Sequence, residues 1–219
     1  MKIGDIIRLV RAIRRIRKVV SIFAKHGFYQ IITNVGLSKF FIFRKYLKTT
    51  YPVDDYQNVP PEIRLRYALE ELGPTFIKLG QVFSQEIRTL PLKYIVELRK
   101  LQDNAHTDFN KIDEIREIFK TETGHNLEDV FESFDETPVA SASIAQVHKA
   151  VLKDGTVVAV KIKKRNVDKI IRNDIDVLYF IVRIVKEAVK ELLYIENAED
   201  LFKEFSKSII SELDFMAEA

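Results

Sequence analysis

The clearest pattern of alternating apolar and polar positions lies in the second half of the chain. Two alternating runs, Ile144–Leu152 and Thr156–Ile162, flank Asp154-Gly155, and a Gly-containing turn between two such runs is typical of a β-hairpin. Successive side chains of a strand point to opposite faces, so Lys161 shares a face with the small residue Ala159. The pattern therefore predicts two antiparallel strands with one lysine beside an alanine.

The rest of the chain is dominated by helical periodicity. Apolar residues recur at helical spacing. Two of the predicted helices begin with a proline, Pro61 and Pro74, and Gly73-Pro74 marks the boundary between them. Residues 126–134 lead into a further strand. The pattern predicts an α+β chain with helices over residues 3–23, 61–72, 74–85, 109–123, 166–195 and from 198 towards the end.

Composition narrows the class of protein. The chain has 219 residues, 47% of them hydrophobic and 31% charged, which is typical of one or two globular domains. It has no cysteine, which excludes disulfides, thiolate nucleophiles and cysteine metal sites, and which suits a reducing compartment. The four histidines show no paired ligand spacing, so we predict no metal site in this chain and a structural role for His148.

Charge is distributed unevenly. Residues 1–50 contain twelve Lys/Arg and one acidic residue, for a net charge of +11, and the remaining residues carry −8. The segment predicts a basic amphipathic helix followed by an aromatic and basic stretch, Phe40–Lys48, without an apolar window long enough to span a membrane. We expect it to bind a membrane surface or a membrane partner. The alternatives are packing on its own domain and, less favoured because no base-reading motif appears, nucleic acid.

A run of small residues, Ala140-Ser141-Ala142-Ser143, precedes the hairpin. Small side chains let backbone amides approach a ligand closely, and a small-residue loop followed by strands that end in Val158-Ala159-Val160-Lys161 is the outline of a kinase nucleotide site. Taken alone, a lysine at the end of a strand is more often a solvated edge residue.

A second group of polar residues lies on the helix that begins at Pro74. Lys78, Gln81 and Gln85 are three and four residues apart and share one face. Gly80, inside this helix, costs about 1 kcal/mol relative to alanine, which suggests close approach of another backbone or a ligand. Taken alone, Lys78 would be interpreted as a solvated surface residue.

Four motifs in this order and spacing resemble the UbiB-type atypical kinase family, also called ABC1 or aarF-domain kinases. The resemblance covers residues 61–219. The motifs are Leu72-Gly-Pro-Thr-Phe-Ile-Lys-Leu-Gly-Gln-Val-Phe-Ser, Leu98-Arg-Lys-Leu-Gln-Asp-Asn, Pro138-Val-Ala-Ser-Ala-Ser-Ile-Ala-Gln-Val-His and Val158-Ala-Val-Lys.

The resemblance implies roles for individual residues. Lys78, Gly80 and Gln81 match the family's Lys-x-Gly-Gln motif, on a helical extension over the active site. Ser141 stands where alanine is more usual and adds a hydroxyl near the expected phosphates. The expected nucleotide-binding residues are the alanine-rich loop and the neighbouring strand positions, Ala140, Ser141, Ala142, Ser143, Ile144, Ala145, Val147, Ala159 and Lys161.

The acidic residues near the end of the chain also match the family. Glu218 corresponds to the glutamate that pairs with Lys161, and Glu212 with Asp214 to a Glu-x-Asp motif whose glutamate meets Lys78. On one continuous helix, Glu212 and Glu218 would lie about 120° apart around the axis. By spacing alone these acids would be interpreted as a solvated helix face.

The resemblance implies a kinase-like small lobe with a helical insertion, preceded by an N-terminal helical extension. The predicted boundaries are residues 1–50 for the basic segment, 51–60 for a linker, 61–125 for the extension and 126–219 for the small lobe. The Mg²⁺ ligands of a kinase belong to a large lobe beyond Glu218. We therefore expect this chain to lack that lobe and to be inactive in phosphoryl transfer by itself.

For the intact protein, the resemblance implies an atypical kinase or ATPase that uses ATP and Mg²⁺ and supports ubiquinone or related isoprenoid-quinone biosynthesis. The expected partners are nucleotide, a peripheral membrane or lipid and quinone-biosynthesis proteins, and not nucleic acid. The expected location is the cytoplasmic side of a membrane. The alternative is a non-catalytic helical module that binds a membrane or a partner through residues 1–50.

Overall fold

The structure is a computed structural model, and it describes residues 3–34, 58–85, 90–102, 110–188 and 198–215. The chain forms two compact units. The first unit comprises residues 1–102 and 168–219, and the second comprises residues 103–167.

The first unit is helical where it is described. A π-helical turn, Ala24–Phe28, connects the first two helices, and a 3₁₀ turn, Lys100–Gln102, follows the fifth. The helices of this unit are α1 Ile3–Phe23, α2 Tyr29–Asn34, α3 Pro61–Leu72, α4 Pro74–Phe83, α5 Leu92–Arg99, α8 Val167–Ala188 and α9 Ala198–Ser211. Helix α8 begins at the last residue of the second unit, which contains the two helices numbered between α5 and α8.

The break after α1 occurs at two residues with non-helical backbone angles. His26 has φ −82° and ψ 15°, and Gly27 has φ +82°, a value that favours glycine over other residues. A Cβ atom at Gly27 would lie 2.0 Å from Nη1 of Arg64, which donates a hydrogen bond to the His26 carbonyl at 3.3 Å. Glycine is therefore favoured at the break by its backbone conformation, and a larger residue would also displace the end of the Arg64 side chain.

The C-terminal half of α1 packs into the first unit. Ile16, Val19 and Val20 are buried, whereas Leu9 and Val10 in the N-terminal half are exposed. The helix thus combines a packed half with a half that presents apolar side chains at the surface.

An ion pair connects α1 with α8. Arg15 contacts the fully buried carboxylate of Asp174 through Nε at 2.5 Å and Nη2 at 2.7 Å, and Nη2 also donates to the carbonyl of Leu72 at 2.7 Å. Arg15 therefore contacts both α8 and the C-terminal end of α3.

The second unit contains a four-stranded antiparallel sheet. Two helices, α6 Ile112–Thr123 and α7 Leu127–Val130, precede strands β1 Phe131–Phe134, β2 Ala140–Ser141, β3 Ala145–Leu152 and β4 Val157–Lys163. The central strand β3 pairs with β4 on one side and with β1 and β2 on the other. The predicted hairpin and antiparallel architecture are confirmed.

One face of this sheet carries the core of the second unit. Ile115, Leu127, Phe131, Ala150 and Ile162 are buried together, and Val158 and Val160 pack against them. Along β4, the alternate residues Val157, Ala159 and Lys161 are exposed. The strand pattern predicted this division, because alternate side chains face opposite sides.

The C-terminal end of α9 corrects one expectation. The helix ends at Ser211, and residues 212–215 form a turn, so Glu212 and Glu218 do not lie on one continuous helix and the angle of about 120° between them does not apply. The amides of Leu213 and Asp214 bond to carbonyls three residues back, and the Ser211 hydroxyl bonds to the Ser208 carbonyl. Serine hydroxyls compete with backbone groups in this way, which favours a helix end.

Other expectations differ at the ends of elements or lie outside the described residues. Helix α6 begins at Ile112 instead of residue 109, and α8 is described to Ala188. The aromatic stretch 40–48 and most of the linker lie outside the described residues, and the predicted domain boundaries stay predictions. Among the described helices, none is both long enough and apolar enough to cross a membrane.

Candidate functional site

The lysine strand presents its polar groups on the exposed face of the sheet. Lys161 lies opposite Val147, and Ala159 lies opposite Lys149. Residues that are directly opposite in an antiparallel pair share a face, so these four side chains occupy one surface. Lys161, Ala159 and Lys149 are exposed, and together they form a surface with two ammonium groups beside a small residue, which suits an anionic ligand.

The small-residue segment forms a tight hairpin beside this surface. Ala140 lies opposite Val147, and the amide of Ala142 donates to the carbonyl of Ala145 at 2.8 Å. The carbonyl of Ile144 accepts from the amide of Lys164 at 2.9 Å, which connects the turn to the residue after β4. The segment therefore lies next to both β3 and the end of the lysine strand.

Ser141 lies opposite Gln146, on the face of the sheet away from Lys161. Its Oγ atom is buried and has no hydrogen-bond partner among the described residues. Ser143 and Ala142 lie in the turn, and Ile144 and Ala145 are buried. Within the small-residue segment, Ala140 is therefore the residue that shares the face of Lys161, since both lie opposite Val147.

A second polar group lies in the first unit, where Nζ of Lys78 forms an ion pair with the carboxylate of Glu212. The two side chains are 23% and 32% exposed, so the pair is partly shielded from water. Lys78 lies on α4 and Glu212 directly follows α9. The contact therefore joins the helix of the Lys-x-Gly-Gln motif to the Glu-x-Asp segment, in which Asp214 is exposed.

The other two motif residues hold α4 against the residues that follow α5. Gln81 donates from Nε2 to the carbonyl of Leu101 at 3.0 Å. A Cβ atom at Gly80 would lie 2.4 Å from Cδ1 of Leu101 and 2.8 Å from Cδ1 of Leu69. The glycine thus permits close packing of α4 on its neighbours, and the contact of Gln81 was not predicted from the sequence.

A buried ion-pair group stabilises the same helical unit. Glu97 accepts hydrogen bonds from Arg66 Nε at 2.7 Å and Lys100 Nζ at 2.6 Å, and its side chain is 7% exposed. Burial by itself would raise the pKa of this carboxyl, but the hydrogen bonds from Lys100 and Arg66 outweigh burial and hold the pKa below its usual value. Glu97 therefore stays ionised and pairs with two cations.

One predicted site residue, Glu218, lies outside the described residues, and so does its expected contact with Lys161. Among the described residues, no group of three or more His, Asp or Glu side chains is arranged to hold a metal ion. The described part of the site thus consists of Lys161, Lys149 and the small-residue hairpin.

Sequence reasoning missed Lys149, although the alternation that placed Lys161 also places Lys149 on the same face. It also missed the buried contacts of Asn110 and Gln146, since nothing in the sequence shows that these side chains meet. His148, for which a structural role was predicted, is fully buried within the sheet.

Comparison with known proteins identifies relatives of this chain. A family model described as "ABC1 atypical kinase-like domain" matches residues 100–219. An "Uncharacterized protein in hydrogenase 1 5'region" of Clostridium pasteurianum is 42% identical over 154 residues, which are 70% of this chain and 28% of that protein. A "Probable protein kinase UbiB" of Cellvibrio japonicus is 35% identical over 212 residues, which are 95% of this chain and 36% of that protein.

A solved structure of a Mycobacterium tuberculosis protein in complex with erythromycin is also similar. It is 28% identical and covers 63% of this chain and 35% of that chain, with a TM-score of 0.37. The chain spans roughly a third of the length of these curated relatives, which are 28% and 36% covered.

Proposed function

Since the chain belongs to the ABC1 atypical kinase-like family, we propose that it supplies the small-lobe side of a nucleotide site in an ATP-binding atypical kinase or ATPase. The observation that carries this proposal is the placement of Lys161 on the exposed face of the sheet, with the small-residue hairpin on the neighbouring strand. A cation beside closely approachable backbone amides suits the phosphates of a nucleotide.

In this proposal Lys161 binds the α- and β-phosphates of ATP, and the hairpin 140–145 covers them. Small side chains at Ala140 and Ala142 leave the backbone accessible to the phosphate oxygens. Glu218 pairs with Lys161 and orients it. Mg²⁺ supplies charge neutralisation to the phosphates when it is bound, and its ligands belong to a large lobe outside this chain.

The ion pair of Lys78 with Glu212 has a different role. We propose that it fixes α4 against the Glu-x-Asp segment within the first unit. For the intact protein we propose ATPase action connected with a lipid rather than protein phosphorylation. Support of ubiquinone or another isoprenoid-quinone biosynthesis at a membrane agrees with the similarity to proteins named UbiB.

The test of nucleotide binding is a titration with ATP, with and without Mg²⁺, for this chain and for a version continued through any downstream coding sequence. We expect Lys161→Ala to weaken binding at least about tenfold, since a charge-assisted contact to phosphate contributes roughly 1.5–3 kcal/mol. Lys153→Ala is the matched control, because Lys153 is an exposed lysine in the turn between β3 and β4. Equal binding of the wild type and Lys161→Ala would contradict the proposed site.

The role of Lys78 is tested by amide hydrogen exchange. Lys78→Ala is expected to speed exchange over residues 74–83, because the ion pair to Glu212 no longer holds α4. Lys93→Ala is the control, since Lys93 is more exposed and forms a longer ion pair with Glu62, at 3.3 Å. Unchanged exchange in Lys78→Ala would show that the pair does not fix the helix.

A second candidate function is membrane binding by the N-terminal helix. It is favoured by the exposed apolar residues Ile6, Leu9 and Val10, which lie on the same helix as the exposed Arg11 and Arg14. We expect salt-sensitive binding to anionic vesicles that is lost on deletion of residues 1–50 and weakened by Leu9→Asp, but not by Ile31→Asp in α2, where Ile31 is 58% exposed. Vesicle binding that survives the deletion would exclude this helix as the membrane site.

A further inference from the structure

A group of buried polar side chains lies behind the strand that carries Lys161. Gln146 and His148 are fully buried, and Asn110 is 9% exposed. Gln146 lies opposite Ile162 and His148 lies opposite Val160, so both belong to the face away from Lys161, which is otherwise apolar. Burial of polar groups costs free energy unless they are hydrogen-bonded, so their partners indicate why they are there.

The three residues form a continuous hydrogen-bonded network, which at Asn110 runs through the backbone. The backbone N–H of Asn110 donates to Oε1 of Gln146 at 2.8 Å, and Nε2 of Gln146 lies 2.8 Å from Nε2 of His148. Nδ1 of His148 lies 2.7 Å from the carbonyl oxygen of Asp135. Because a carbonyl oxygen only accepts, Nδ1 carries the proton and Nε2 accepts from Gln146, so the imidazole is neutral.

Asn110 extends the network to the end of the lysine strand. Its Nδ2 donates to the carbonyl of Lys163 at 3.0 Å, and its Oδ1 accepts from the amide of Arg165 at 3.0 Å. The first of these contacts is two residues beyond Lys161. Gln146 is also the position on β3 that lies opposite both Ser141 of β2 and Ile162 of β4. The network therefore contacts each segment that forms the proposed nucleotide site.

We propose that Asn110, Gln146 and His148 are positioning residues, which fix the register of β4 and of the small-residue hairpin on β3 and so hold Lys161 at the phosphates. The proposal rests on the nucleotide site proposed above. A slip of one residue in β4 would move Lys161 to the buried face. The buried apolar residues of β4 already disfavour such a slip, and the network adds directional hydrogen bonds that are satisfied only in the observed register.

The network is tested in the full 219-residue chain with Gln146→Met, which keeps the length of the side chain and removes its hydrogen bonds. Val160→Ala is the matched control, because it removes apolar volume on the same face of the sheet, opposite His148, and leaves the hydrogen bonds of the network in place. At equal loss of thermal stability, we expect ATP binding to weaken about tenfold in Gln146→Met, as for the loss of one buried hydrogen bond, and less than about twofold in Val160→Ala. Equal weakening in both variants would overturn the proposal.

Two further readouts separate this proposal from the proposed function. Amide exchange needs no nucleotide, and we expect it to be about tenfold faster over residues 140–145 and 161–165 in Gln146→Met than in Val160→Ala at matched global stability. The ¹⁵N resonance of His148 Nε2 should move towards that of a free imidazole nitrogen. If the wild type binds no ATP, the proposed function fails and these readouts decide the inference alone.

A second variant covers the case in which Gln146→Met does not fold. Asn110→Ala lies at the edge of the network and removes only the contacts to residues 163 and 165. We expect this variant to bind ATP more weakly than the wild type and to exchange amide hydrogens faster over residues 161–165. Exchange in Asn110→Ala that equals that of Val160→Ala would overturn the proposal as well.

Discussion

Replacing Arg15 tests whether the N-terminal helix belongs to the first unit or acts as a separate basic segment. The guanidinium makes two contacts to Asp174, at 2.5 and 2.7 Å, and one to the carbonyl of Leu72 at 2.7 Å. It also lies over the ring of Phe76, 5.5 Å from its centroid. Arg15 therefore contacts three helices besides its own, and its partner on α8, the Asp174 carboxylate, is fully buried.

The expected loss in the free energy of unfolding follows from the contacts that Arg15→Met leaves unpaired. Methionine keeps most of the packing of the arginine stem, but the buried Asp174 carboxylate loses its cation, and breaking a buried pair in this way costs about 3–5 kcal/mol. The double variant Arg15→Met/Asp174→Leu removes both charges, so its cost should fall to about 1–2 kcal/mol, chiefly from the unpaired Leu72 carbonyl.

Urea unfolding of the wild type, both single variants and the double variant gives the coupling energy between the two residues. We expect the double variant to be more stable than Arg15→Met alone by at least about 1 kcal/mol. A loss below about 1 kcal/mol in Arg15→Met, or costs that simply add, would show that the pair does not hold α1 in the first unit.

Three smaller changes test other parts of the structure. Gly80→Ala should cost about 1 kcal/mol in urea unfolding, because the new Cβ atom would lie 2.4 Å from Leu101 and the resulting overpacking exceeds the gain in helix propensity; a more stable variant would contradict this packing. Gly155→Ala should also cost about 1 kcal/mol, since Gly155 has φ +85°, and an unchanged midpoint would contradict the strain. The pKa of Glu97 is lowered in the folded state, so its contribution to stability is complete above about pH 4.3 and is lost as the pH falls through the folded pKa. Acid titration of Glu97→Gln should show a shallower loss of stability in that range, and an identical acid limb would refute the assignment.

The elements that the sequence predicted well have local signals at both ends. Helix α3 has the predicted bounds, residues 61–72, because Pro61 starts it and Gly73-Pro74 ends it. The hairpin was predicted because alternation and the Asp154-Gly155 turn lie within 20 residues of each other. Its two faces followed directly from the alternation.

The features that could not be predicted depend on contacts between distant residues. Arg15 was one of several cations on a basic helix, and its partner Asp174 is 159 residues away. An amphipathic pattern shows which face is apolar but not what covers it, so the packed and exposed halves of α1 looked alike. The same holds for Asn110 and Gln146, which are 36 residues apart.

The position of Glu212 shows where helical periodicity alone failed to predict the structure. The contact between Glu212 and Lys78 was expected from the family resemblance, whereas the helical geometry proposed for Glu212 and Glu218 was wrong, because α9 ends at Ser211. Serine at the last turn signals a helix end only weakly, since the same residue occurs inside this helix at positions 206 and 208. Family motifs identified the residues better than the periodicity did.

The place of β4 in the sheet has a consequence for solubility. The strand pairs with β3 on one side, and no described strand pairs with its other edge. Its sequence, Val157-Val-Ala-Val-Lys-Ile-Lys, is strongly β-forming, and charged lysines are what deter such an edge from joining the edge of another molecule. Lys161 would thus protect against aggregation, in addition to the role proposed for it at the phosphates. Lys161→Ala should self-associate at concentrations at which Lys161→Glu stays monomeric.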